Sequence, residues 1–185
     1  MLKLSSISLV LCSILLAGCV SAPKVSDPSG VDISVVRLTS DQALMSFGAA
    51  PTDANPYRTP GGMMMGYPHE LIVLRFTVVA AKKAQISIDG ITATGSDGSD
   101  VAKYYYIDDY TNYVTSWQGD LAVKKAQVVQ DTYLPGDHFQ AWLGHHTYYA
   151  VLVGKNPIPR PYQAKVSISV DDGTPRIFTF DVAGK

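Results

Sequence analysis

The chain has 185 residues, 46% apolar, 17% charged and 10% aromatic, with a formal net charge of −1. That length suits one domain of ordinary size, and the apolar fraction is enough for a packed core, so wholesale disorder is excluded. Near-neutral charge leaves no electrostatic footprint for nucleic acid, and no such partner is expected.

The chain opens with Lys3 and an apolar run from Leu4 to Leu16, ending in Leu16-Ala17-Gly18-Cys19. A basic start, a short apolar segment and a small-residue site make a secretory signal. The run is too short for a bilayer span, which needs roughly 20 residues. The tetrapeptide resembles the lipobox of bacterial lipoproteins. That resemblance implies a diacylglycerol thioether on Cys19, removal of residues 1–18 as signal peptide, and acylation of the new amine by a palmitate-type chain. Val20 stands where the enterobacterial sorting rule reads an Asp as retention in the inner membrane, so the resemblance favours the outer membrane, facing the periplasm or the surface. An ordinary secretory signal with a chance cysteine is the alternative. Cys12 falls in the removed segment and Cys19 is consumed by lipid. The body therefore has no cysteine, which excludes disulfides, zinc–thiolate sites and cysteine nucleophiles there.

Residues 19–30 are small, polar and proline-containing after Cys19, as a flexible tether would be. Residues 31–185 read as one domain. Val31–Leu38 alternates with a slip at Val35-Val36 that predicts a bulge. Ser40-Asp41 predicts a cap for a short helical turn through Ala43, Leu44 and Phe47. Gly48–Pro68 holds four prolines and reads as an ordered or functional loop. Glu70–Ala80 is apolar on both parities, as a strand covered on both faces would be. Ala84, Ile86 and Ile88 alternate, and Ile91–Thr94 and Val101–Ile107 are further strands. Tyr110, Tyr113, Val114 and Trp117 fit a helix and a strand equally. Ala126–Tyr133 reads as a strand, Asp137–His146 is ambiguous, and Thr147–Val153 is a strand. Pro157, Pro159 and Pro161 predict an extended polyproline II crossover or docking strip. Ala164–Val170 and Ile177–Val182 form a hairpin, with Gly173 suited to the left-handed position of its turn. The pattern predicts a mainly β protein, an antiparallel β-sandwich of seven to nine strands with at most one or two short helices. Size and layout resemble immunoglobulin-like domains of envelope lipoproteins, without the Cys…Trp…Cys core of antibody domains.

The most biased segment runs from Tyr104 to Trp117. Tyr104, Tyr106, Tyr110, Tyr113 and Trp117 stand with Asp108 and Asp109, and aromatic faces beside hydrogen-bonding groups suit a recognition surface for peptide or sugar. Burial of alternate rings in a core is the bland alternative. His138, His145 and His146 invite a metal reading, but on a strand the last two point to opposite faces. Met63-Met64-Met65 near His69 invites a copper(I) reading, against apolar filler. Ser96–Asp100 resembles a fragment of a calcium loop and reads better as a polar turn. No serine elbow, zinc-protease helix, phosphate loop or dinucleotide turn occurs. The sequence thus predicts a non-catalytic, cofactor-free module that contacts another envelope protein. Glycan binding through Tyr104–Trp117 and metal handling are the alternatives.

Overall fold

A computed structural model describes residues 26–39, 42–43, 55–57, 69–117 (the Trp117 side chain excepted) and 121–184. The elements in chain order are β1 (Val31–Leu38), β2 (His69–Ala80), β3 (Ala84–Gly95), β4 (Asp100–Tyr105), α1 (Ile107–Trp117), α2 (Ala122–Thr132), β5 (His138–Ala141), β6 (Gly144–Lys155), β7 (Tyr162–Val170) and β8 (Arg176–Val182). The protein is mainly β, as the sequence predicts, and the described residues form eight antiparallel strands and these two helices. Strand order is β1-β2-β6-β4-β3-β7-β8, with β5 added to β3. β6 pairs with β2 over its whole length, and β3 pairs with β7 from Ile86 to Gly95. Six-residue β4 links these two layers, because Ala102 lies opposite both Gly154 of β6 and Ala93 of β3.

The two ends of this strand path come together through arginines. Arg176, at the start of β8, donates to the Val31 carbonyl at 3.1 Å and to Ser29 Oγ at 2.9 Å. It also pairs with Asp27 at 2.9 Å. At the opposite end the guanidinium of Arg37 in β1 lies near the hydroxyl of Tyr162 in β7. The sheet therefore curls around one interior, as a barrel would. Register shows what fills it, since directly opposed residues share a face. Val31 and Val35 line up with Ala80 and Phe76, and Leu74 and Ile72 with Ala150 and Leu152. From the other layer come Ile86, Ile88, Ile91 and Ala93 with Val170, Ile168, Val166 and Ala164. All are buried. Phe139 of β5 meets Tyr148 of β6 edge-on at 5.1 Å, joining the layers where β4 does not reach.

The outer face of β2 and β6 is apolar too, and the helices explain why. Tyr110, Tyr113 and Val114 occupy one stripe of α1, three and four residues apart, and all three are buried. As a strand the segment would send Tyr110 and Tyr113 to opposite faces, so tertiary burial selects the helix over its β-branched residues. Thr111 and Thr115 adapt by returning their hydroxyls to the carbonyls of Ile107 and Thr111. In α2 the buried positions are Lys125 and Val129. The strand expected over Ala126–Tyr133 is therefore corrected to the helix α2 through Thr132, whose end at Tyr133 turns extended. Tyr57 and Tyr149 stack at 4.9 Å, and Tyr110 and Tyr133 at 5.3 Å, beneath the helices.

Tyr133 fastens this layer to the sheet. Its hydroxyl accepts from the Val151 amide at 2.9 Å and donates to the Tyr105 carbonyl at 2.5 Å. Tyr133→Phe keeps the ring and removes both bonds, leaving a buried amide without its acceptor. The expected loss is about 1–3 kcal/mol. Urea unfolding of the two proteins measures it; equal midpoints would show that the hydroxyl contributes nothing.

Several local expectations are corrected. β1 pairs with β2 without a shift, so there is no bulge at Val35-Val36. The bulge lies in β3 instead, between Ile88 and Gly90. Thr39 caps the turn at Gln42 and Ala43, its Oγ1 accepting from the Gln42 amide while Gln42 Oε1 accepts from the Thr39 amide. Ser40, Asp41, Leu44 and Phe47 lie outside the described residues. Asp137–His146 becomes β5, a turn and the start of β6. In the β7–β8 turn the left-handed residues are Asp171 (φ 50°) and Asp172 (φ 57°), not Gly173. The crossover to β7 has cis bonds at Asn156-Pro157 and Arg160-Pro161. Between them Ile158 is buried against Gly154, where a Cβ would come within 2.7 Å of its Cγ1. Residues 26–30 are not loose tether. The Asp32 carboxylate accepts from the Ser26 and Asp27 amides, and Arg176 holds Asp27 and Ser29.

Candidate functional site

β5 pairs with β3 over Ala84–Ser87, and β4 pairs with it at Ala93–Thr94. Between these stretches, residues 90–92 of β3 pair, among the described residues, only with β7. A cleft of about 620 Å³ opens along this interval. Its floor is Ile88, Gly90 and Ile91, and its walls include Lys103, Tyr104, Tyr106, Asp137 and, toward the end of β6, Lys155. The bulge at Asp89 and the shortness of β4 together produce it.

Two tyrosines dominate the cleft. The rings of Tyr104 and Tyr106 lie 5.0 Å apart, tilted by 58°. Tyr104 is partly buried, and burial pushes its hydroxyl above the ordinary tyrosine range, with Asp137 and Tyr106 adding to the effect. Tyr106 is 47% exposed. The charge of the Asp137 carboxylate beside it raises the Tyr106 pKa. Asp137 is fixed from below, because its carbonyl accepts from the Ile88 amide at 2.7 Å. Asp89 turns toward β7, where Ser167 and Ser169 donate to its carboxylate at 3.3 and 3.2 Å. The site thus presents a tilted aromatic pair, a tyrosine–carboxylate pair and a strand edge. These groups exchange hydrogen bonds and bury apolar surface.

The aromatic segment is therefore divided. Tyr104 and Tyr106 reach the cleft. Tyr110 and Tyr113 do not belong to a recognition surface: they are buried between α1 and the sheet, and the Tyr110 hydroxyl donates to the Pro56 carbonyl. Asp108 and Asp109 are exposed on the first turn of α1, where carboxylates favour the helix dipole. The Trp117 side chain and Cys19 lie outside the described residues. The sequence pattern assigns neither Asp137 nor Asp89 to a recognition surface. Pro135-Gly136 before Asp137, with Gly136 at φ +151°, was the available sign of a sharp turn there.

The histidines are dispersed. His138 on β5 bonds Ser87 Oγ at 3.0 Å, while His146 on β6 bonds the Trp142 carbonyl at 2.8 Å and stacks on Tyr148. His145 takes the opposite face of β6 and is exposed. Met63–Met65 lie outside the described residues, and among those described no cluster of three His, Cys, Asp or Glu could hold a metal ion. In the Ser96–Ser99 turn the Asp97 carboxylate accepts from the amide and hydroxyl of Ser99, as a polar turn does. No described helix is long and apolar enough to cross a membrane. No protein family, curated protein or solved structure matches this chain.

Proposed function

We propose that this chain is a lipid-anchored, non-catalytic binding module of the bacterial envelope, held through Cys19 at the outer membrane and receiving a segment of another envelope protein in the cleft beside β4. The observation that carries the binding reading is the interval at residues 90–92 of β3, left among the described residues without a strand neighbour on one side and faced by Tyr104, Tyr106 and Asp137. An extended peptide fits such a place: its backbone bonds to the strand edge, and its side chains meet the rings and the carboxylate. Aromatic residues in a concave site are also where binding energy concentrates. The lipobox supports the anchor.

A photoreactive amino acid at position 106, in the full chain expressed in its own host, tests this reading. One discrete protein adduct is expected, absent when the same group replaces Val123 on the exposed side of α2. Asp137→Ala is expected to reduce that adduct at least about tenfold, the effect of losing one charged hydrogen bond. Adducts spread over many proteins, or equal at both positions, would overturn it. Specific retention of the chain on an envelope glycan, lost in Tyr106→Ala, would replace the protein partner by a glycan.

A further inference from the structure

One rim of the fold gathers features that the cleft does not use. Val31, Ala80 and Gly144 lie in one row across β1, β2 and β6, so the start of β1 and the start of β6 are about 10 Å apart, two strand spacings. Just beyond the row lie Gly30 on one strand, Lys82 and Lys83 on the next, and Trp142-Leu143 on the third. The Ala81 amide donates to the Gly30 carbonyl, and Lys82 packs along Gly30. Lys83 sets its ammonium 4.6 Å from the Trp142 ring centre. Trp142 and Leu143 are 58% and 60% exposed, two large apolar side chains side by side at the tip of a turn. Nothing in the described fold covers them.

The same rim is where the chain arrives from Cys19. Residues 20–25 are all that separate the cysteine from Ser26, and seven residue steps extend at most about 25 Å. We infer that this rim faces the lipid surface, with Trp142 and Leu143 inserted into the headgroup region of the membrane that holds the anchor. The inference rests on the lipoprotein reading and adds an orientation to it. Tryptophan suits this layer because its ring is apolar and its N–H is polar, and Lys83 can extend its ammonium to water or phosphate while its stem stays on the ring. A tether this short keeps the turn at high effective concentration over the surface, so weak insertion is sufficient. Asp171 and Asp172 share the rim, so contact rests on apolar insertion and not on lipid charge. The cleft, which runs along the barrel wall toward the end of β6, then opens away from the membrane.

The test uses the full lipidated chain carrying Trp117→Phe, which leaves Trp142 as its only tryptophan, bound to vesicles of phosphatidylethanolamine and phosphatidylglycerol and, separately, of phosphatidylcholine. On both, Trp142 emission should shift to the blue, and quenching by aqueous iodide should fall several-fold relative to the same protein in detergent-free solution after enzymatic removal of the tether. Leu143→Asp should restore most of the iodide quenching with an unchanged urea midpoint. If Trp117→Phe unfolds, a nitroxide on Leu143→Cys, the one free thiol once Cys19 is lipidated, reports the same depth through its collision rate with dissolved oxygen. A lipidated, vesicle-bound protein whose Trp142 or nitroxide stays fully water-accessible would overturn the inference and leave the anchor intact. A chain with no lipid on Cys19 would overturn both. Protection seen in native membranes but not in pure lipid would assign the rim to a protein neighbour and would also overturn it.

Discussion

Between pH 9 and pH 11 the folded domain is expected to lose about 5 kcal/mol of stability, enough to unfold the less stable of domains whose whole stability is about 5–15 kcal/mol. The cause is the tyrosine layer beneath the helices together with Tyr104 in the cleft wall. Burial raises the hydroxyl pKa of Tyr57, Tyr104, Tyr110 and Tyr133 above the ordinary value of 10.0. A raised pKa means that the folded state resists losing the proton, while the unfolded chain releases it near pH 10. Stability from these groups is complete below pH 10 and drains as pH rises through and beyond it, because only the unfolded state gains from ionisation. Each such tyrosine contributes about 1.4 kcal/mol per pH unit above that point. Urea unfolding at half-unit steps, followed alongside tyrosinate absorbance, measures the slope. Tyr110→Phe should reduce it by about a quarter, since one of four linked protons is removed. A slope unchanged from pH 8 to pH 11, or as many tyrosines ionised at pH 11 in the folded protein as in urea, would show that the layer is open to solvent.

How far the sequence revealed this fold depends on where each side chain's neighbours come from. The β7–β8 hairpin was legible because Ala164, Val166, Ile168 and Val170 alternate against a single interior, and local pattern suffices there. Glu70–Ala80 was legible as doubly covered, but its cover was not. Tyr110 and Tyr133 lie against Tyr57, which stacks on Tyr149, and Tyr113 lies against His69 and Tyr105, residues that only the folded chain brings near. That distant partner decided helix over strand for α1 and reversed the reading of α2, where the adjacent Val128 and Val129 mimic a strand. The cleft was half legible. Tyr104 and Tyr106 were marked by composition, but their separation from Tyr110 and Tyr113 follows from the helix beginning at Ile107. Asp137 reaches Tyr106 only because β5 adds to β3. Its position is a property of topology, which no local window contains.

In the lipoprotein reading proposed here, the Tyr106–Asp137 pair and the Trp142–Leu143 turn act from an anchor that depends on one thiol. Cys19→Ser is expected to abolish membrane retention of the processed chain. Serine cannot form the thioether, and in the lipoprotein pathway cleavage follows lipidation, so the precursor should remain uncut, or leave the membrane entirely if another peptidase accepts it. Trp142 and Leu143 cannot compensate. Each buried methylene of an acyl chain contributes about 0.8 kcal/mol, even a single myristoyl chain binds only marginally, and one turn tip buries less apolar surface than that. The fold should survive the change, because no described element includes a cysteine. A lipid-free chain begun at Ser26 should therefore be soluble and fully stable. One begun at Asp32 should lose about 2–4 kcal/mol: it lacks Val31, which is fully buried, and removes the carbonyl, hydroxyl and carboxylate that hold Arg176. Sucrose-gradient fractionation of the Cys19→Ser protein and urea unfolding of the two shortened chains decide these points. Normal processing and retention of Cys19→Ser would remove the lipoprotein reading. Equal stability of the chains begun at Ser26 and Asp32 would remove the arginine clasp from the structure's supports.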